Sequence, residues 1–184
     1  MNITIVKKNQ NYPLINWVAK GLAHIKVKPI CANLCVANGW MYATDELGAL
    51  RVTTQLDDGL YKPFFDAIGI TLVRTSTTGN FISDHGLYPI SVIQKLFVFD
   101  MSLYSDEFVV KNSKSCPNNF DIGYIVLKSG HLLNVKKIQT LLDSPYSFQC
   151  HVPLAANVYN KKILLRNTFQ EAIFLPVIDN TRGV

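Results

Sequence analysis

Residues able to do chemistry are few in this 184-residue chain, and they are scattered. His24, His85, His131 and His151 stand apart, with no H-x-x-x-H, no H-E-x-x-H and no Cys/His pairing at zinc spacing. Cys31, Cys35, Cys116 and Cys150 form no C-x-x-C pair. Met1–Lys7 has no long apolar run of the signal-peptide kind, so the cysteines read as reduced core thiols of a cytosolic protein. Cys150 and His151 are neighbours, but adjacent residues of a strand point to opposite faces, which suits neither chelation nor a nucleophile–base pair. Asp57-Asp58-Gly59 and Asp84-His85-Gly86 place carboxylates beside glycine, where Asp serves turns. Asp106-Glu107 reads as a solvated loop. Phosphate-loop, dinucleotide and nucleophile-elbow patterns are missing. The expectation is a chain with no catalytic residues, no metal site and no cofactor.

Charge is more informative. Eighteen Lys and Arg against thirteen Asp and Glu leave a formal net charge of +5, compatible with an anionic partner. Several cations fall on two expected helices. The first opens at Asn11-Tyr12-Pro13, buries Leu14, Trp17, Val18, Gly21 and Leu22, and carries Asn16, Lys20 and His24 on its other side. It ends near Ile25, because Pro29 disfavours helix just before it, and Lys26 and Lys28 lie in or past its last turn. The second runs from Val135 to Leu142, capped by Asn134 and stopped by Asp143-Ser144-Pro145. Val135, Ile138, Leu141 and Leu142 form its apolar face; Lys136 and Lys137 face away. Both helices on one side of a sheet would make a basic surface able to hold phosphates without reading sequence. Outward lysines that only keep a helix soluble are the equal alternative.

The elements around these helices are strands. Asn38-Gly39 between Cys31–Val36 and Trp40–Thr44 is a hairpin signal, since a type I′ turn needs positive φ at both central residues. Ile3–Val6, Ala49–Gln55, Ile68–Thr75, Phe108–Val110, Tyr124–Leu127, Tyr146–Val152, Lys161–Arg166 and Ala172–Ile178 also read as strands. Leu60–Phe65, broken by Pro63, reads as an edge or docking segment. Residues 81–88 read as irregular, and 89–96 as a short helix or a strand. Lys111–Asn119 is the clearest loop. The order is α+β rather than alternating βαβ: one domain, 1–184, with approximate halves 1–98 and 99–184.

Several of these stretches together resemble a known family. The helix at 14–23, the Pro29–Gly39 hairpin segment, Trp40-Met41-Tyr42-Ala43-Thr44-Asp45, Asp58-Gly59-Leu60-Tyr61 and Glu171-Ala172-Ile173-Phe174-Leu175-Pro176-Val177 are similar to the DNA sliding clamps, above all to short, single-domain clamp-like proteins of bacteriophages. The likeness implies two strand–helix–three-strand halves with antiparallel sheets and two helices on one face. It implies nonspecific DNA contacts through Lys20, His24, Lys26, Lys28, Lys136 and Lys137. It also implies a partner-docking cleft at Thr44, Asp45, Leu47, Leu50, Leu175, Pro176 and Val177. After Thr-Asp the clamps continue with glycine, a polar residue and arginine, whereas this chain has Glu46-Leu47-Gly48-Ala49-Leu50-Arg51, out of register. A bacterial clamp subunit holds three such domains, so a ring of this chain would need about six copies. The implied protein is non-enzymatic, phage-encoded and homo-oligomeric. It would act in the host bacterial cytoplasm, off the membrane, as a processivity or docking module with DNA and a replication protein as partners. The alternative implied by a reused fold is a phage protein that binds and inhibits a host factor, of the anti-defence type.

Overall fold

Asn38 and Gly39 adopt φ of +54° and +74°, the left-handed pair that a two-residue hairpin turn requires. They join β2 (Leu34–Ala37) to β3 (Trp40–Thr44) in the register Ala37↔Trp40, Val36↔Met41, Cys35↔Tyr42. Nearly every residue of this hairpin is buried, because the sheet it seeds is covered on both sides there. The computed structural model describes residues 2–22, 32–44, 48–83, 86–110, 124–126, 132–134, 144, 146–154 and 162–174. At 20–22, 83, 107–110, 124–126 and 132–134 it describes the backbone alone.

The remaining elements are β1 (Asn2–Val6), α1 (Tyr12–Leu22), β4 (Gly48–Thr53), β5 (Gly59–Phe65), β6 (Gly69–Ser76), β7 (Asn80–Ser83), β8 (Gly86–Pro89), α2 (Ile90–Leu96), β9 (Tyr104–Val110), β10 (Tyr124–Val126), β11 (Leu132–Asn134), β12 (Phe148–Pro153), β13 (Ile163–Arg166) and β14 (Gln170–Phe174). Ten strands form one antiparallel sheet in the order β1-β6-β5-β2-β3-β4-β14-β13-β12-β9; β7–β8 and β10–β11 are separate two-stranded pairs. The first and last stretches of the chain meet at β4–β14, where Gly48 to Val52 pair with Phe174 to Gln170.

Alternation along the strands divides the core in two. Leu34, Val36, Met41, Ala43, Leu50, Val52, Ala172, Leu165 and Cys150 turn to one face, where α1 lays Leu14, Ile15, Trp17, Val18 and Ala19 on them. Cys35, Tyr42, Ala49, Leu164 and Ile173 turn to the other, with Phe81 of β7, Ile93 of α2 and Phe97. The two described helices therefore pack on opposite faces. The expected partner rod at 135–142 lies outside the described residues, so the one-face pairing is not seen here. α1 also reaches the far part of the sheet: Trp17 stacks on Phe148 of β12, ring centroids 5.5 Å apart and planes 26° from parallel.

Three expectations need correction. Residues 81–88 are not irregular but a hairpin, with Phe81↔Tyr88 and Ile82↔Leu87 in register, formed because Phe81 is an anchor of the second core. β5 is not an edge strand: it sits between β6 and β2. The Pro63 argument survives locally, since β2 pairs only with residues 59–61 and the missing N–H falls beyond that contact. Asp106 and Glu107 lie in β9, not in a loop.

Close packing at the far edge yields a simple test. A methyl group on Gly69 would overlap the Ile5 carbonyl oxygen and lie 2.9 Å from the Val6 Cα, so only glycine lets β1 approach β6 there. Gly69→Ala is expected to cost about 2 kcal/mol or more and to release β1 selectively, read as faster amide exchange at residues 2–6 than in the hairpin at 34–44.

Candidate functional site

The expected basic surface begins with α1. An Asx turn at Asn9 leads into it: the side-chain Oδ1 accepts from Asn11 N at 2.8 Å, and the Asn9 carbonyl accepts from Tyr12 N at 2.9 Å, before the first helical bond from Ile15 N to the Asn11 carbonyl. Lys20 is within this helix, but its side chain lies outside the described residues, as do His24, Lys26, Lys28, Lys136 and Lys137 entirely. What the described part fixes is the helix's buried side, residues 14, 15 and 17–19.

The expected docking cleft is better placed. Thr44 ends β3, and its buried hydroxyl donates to the Gly48 carbonyl at 2.8 Å, tying the two ends of the 45–47 connection together. Gly48, the first residue of β4, pairs with Phe174, the last described residue of β14. The strands leading into residues 45–47 (β3) and into residues 175–177 (β14) thus finish at the same end of the sheet, one on each side of β4. Asp45, Leu47, Leu175, Pro176 and Val177 themselves lie outside the described residues. Leu50 pairs with Ala43 on one side and Ala172 on the other, and its side chain belongs to the α1-side core.

Sequence reasoning missed a charged cage on the opposite face of the same junction. Arg51 of β4 and Glu171 of β14 are register partners. The arginine donates to Glu171 Oε2 from Nη2 at 2.6 Å and from Nε at 2.8 Å. Its guanidinium carbon lies 4.2 Å from the Trp40 ring centroid and 4.5 Å from that of Phe97. Both charged side chains are only 17 % exposed. The 120-residue separation hides the pair, although a lone arginine within an apolar strand was the available signal.

A second missed pair is His151 with Asp106, register partners on β12 and β9 beside a bulge at Cys150. His151 is buried, and its Nδ1 lies 2.6 Å from Asp106 Oδ1, off the line of a good N–H···O bond. Gln149 Nε2 donates to the other carboxylate oxygen at 3.1 Å. Cys150 turns to the α1-side core, so neighbouring residues do point to opposite faces, as strand geometry requires.

Among the described residues no three His, Cys, Asp or Glu side chains gather where they could hold a metal ion. Burial, reinforced by the nearby Asp58 charge, pushes the Cys35 thiol up to about 12. Thiolate is the reactive form, so Cys35 is expected to resist iodoacetamide at about pH 8 in the native chain and to label readily in urea, as mapped by peptide mass spectrometry. Native-state labelling at Cys35 would contradict its place in the second core.

No family model and no curated protein matches the sequence. Solved structures do match in shape. The chain is similar to bacterial beta clamps. A structure from Eubacterium rectale described as a DNA polymerase III beta subunit aligns with TM-score 0.44 and 10 % identity, over 97 % of this chain and 65 % of that one. The Helicobacter pylori beta clamp in complex with 5-chloroisatin aligns with TM-score 0.45 and 11 % identity, over 100 % and 65 %. The same organism's clamp with 3,4-difluorobenzamide gives TM-score 0.42 and 10 % identity, over 98 % and 66 %. This chain therefore spans less than two thirds of the length of the structures it matches.

Proposed function

We propose that the chain is a non-enzymatic, clamp-like module of phage origin that associates with DNA and docks a second protein. The observation that carries the reading is the β4–β14 junction. It supports the reading by pairing Gly48, to which Thr44 is bonded, with Phe174, one residue from each of the two stretches that the sequence likens to the clamp's peptide cleft. In this reading Thr44, Asp45, Leu47, Leu175, Pro176 and Val177 form that cleft, while Leu50 supports it from the core. Lys20, His24, Lys26, Lys28, Lys136 and Lys137 hold the phosphate backbone, giving affinity without base readout. Several copies then surround or line the DNA, in the host cytoplasm and without a cofactor.

Fluorescence anisotropy with a labelled duplex tests it. At about 50 mM salt the chain should bind, and affinity should fall steeply toward about 200 mM, since each neutralised phosphate releases counterion. Lys20→Glu combined with Lys136→Glu and Lys137→Glu should lower both the affinity and the salt slope. A monomer that ignores DNA at low salt but holds a host protein tightly would instead support the inhibitor reading.

A further inference from the structure

Asn38-Gly39 is the chain's single Asn-Gly pair, and both residues of the turn it makes are exposed. Such a pair carries its own chemistry, because glycine sets no side chain between its amide nitrogen and the neighbouring carboxamide. The Gly39 nitrogen can attack Asn38 Cγ and expel the side-chain nitrogen, which takes up the amide proton and leaves as ammonia. The product is a five-membered succinimide. Water then opens the ring at one of its two carbonyls. Breaking the bond from nitrogen to Cγ leaves an aspartate. Breaking the bond from nitrogen to the α-carbonyl carbon leaves isoaspartate, with the backbone now running through Cγ.

The closed turn opposes the first step. Asn38 has φ of +54°, and a type I′ turn holds ψ of this residue near about +30°. About its Cα–C bond the Gly39 nitrogen then lies nearly anti to Cβ, on the far side from the Cγ it would attack. Ring closure needs nitrogen and Cβ eclipsed, at ψ of about −120°, which a two-residue turn does not reach. Two bonds hold the turn shut from outside the hairpin. Asn38 N donates to Asp58 Oδ1 at 3.1 Å, and the Gly39 carbonyl accepts from Thr54 N at 2.9 Å. The Asn38 carboxamide itself has no hydrogen bond among the described residues, so backbone geometry alone keeps it from reacting.

We propose that Asn38 is a modification site gated by its own hairpin: inert while the turn is closed, converted to isoaspartate when it opens. The change runs one way. Isoaspartate lengthens a two-residue turn by one backbone carbon and sets a new carboxylate beside that of Asp58. Both effects oppose seating the turn again on residues 54–58. The aspartate product differs, since Asp-Gly suits a type I′ turn as Asn-Gly does, and only its charge is new. β2 and β3 stand at the middle of the ten-stranded sheet, so the modification records opening of its central hairpin. It stands or falls independently of the DNA reading.

The experiment is incubation of the full chain at mildly alkaline pH, native and in urea, with the products at residue 38 followed by peptide mass spectrometry. Conversion should be about ten-fold or more slower in the native chain, in proportion to the fraction of open turns. Asp58→Ala removes one anchor and should speed native conversion about two- to five-fold, the factor one hydrogen bond supplies. The circular dichroism spectrum should not change, and in urea this variant and the parent should react alike. Isolated by ion exchange, the isoaspartate form should exchange amides faster at Thr54 and across residues 35–42, while the aspartate form behaves like the parent. Equal rates in the native and unfolded chain would overturn the gate, as would native conversion unmoved by Asp58→Ala. An isoaspartate form with the parent's exchange pattern would overturn the one-way change.

Discussion

Trp17→Ala is expected to lower unfolding stability by about 3–5 kcal/mol, the range for deleting a large aromatic from a well-packed core. Trp17 is 3 % exposed and is the contact through which α1, an element of the first part of the chain, grips β12 near the other end through Phe148. The loss should therefore be unevenly distributed: amide exchange should rise in β12 and β13 as well as in α1, while the β5–β6 pair, remote from the ring, changes least. Trp17→Phe keeps a ring on Phe148 and should recover most of the stability. Equal destabilisation by the two variants in urea unfolding would mean that the stack does not join the two parts of the sheet.

The second large effect is expected on the opposite face. Arg51→Ala should cost about 2–4 kcal/mol, because it leaves Glu171 partly buried without its cation and opens the gap between Trp40 and Phe97. Arg51→Lys should recover little. An ammonium cannot place two donors on Glu171 Oε2 and stack flat between two rings at once. Glu171→Gln keeps an acceptor at the same place and should be the mildest of the three. A double-mutant cycle of Arg51→Ala with Glu171→Ala, by urea denaturation, should show a coupling of at least about 1 kcal/mol; additive losses would reduce the cage to two independent packing effects.

Trp17 and Arg51 also mark how far the sequence can be read. The 3.6-residue recurrence of apolar side chains from Leu14 to Val18 locates α1 and its buried side. Asn38-Gly39 fixes its hairpin outright, because the turn is local chemistry. Strand positions β1, β3, β4, β6, β12 and β13 follow from alternation and β-branched content for the same reason. What fails is whatever depends on a distant partner. β7–β8 is held by Phe81 entering a core built from β2, β3, β13 and β14, so nothing within residues 81–88 announces it. Pro63 argues for an edge, yet β5 is interior over the three residues that matter to β2. Asp106 is solvated as expected, but nothing near it in the sequence announces that His151, 45 positions later, faces it. Of the candidate site, Thr44 and the closing strand could be named from sequence, but their meeting at Gly48↔Phe174 is a property of the register.

In the proposed reading this chain associates with DNA as a clamp-like module. Sedimentation velocity of the full chain with a duplex of about 30 base pairs reads it most directly, at about 50 mM and again at about 300 mM salt. The expected result is protein and duplex moving together as one faster boundary at low salt and separating at high salt. Two boundaries at their unmixed positions under both conditions would contradict it.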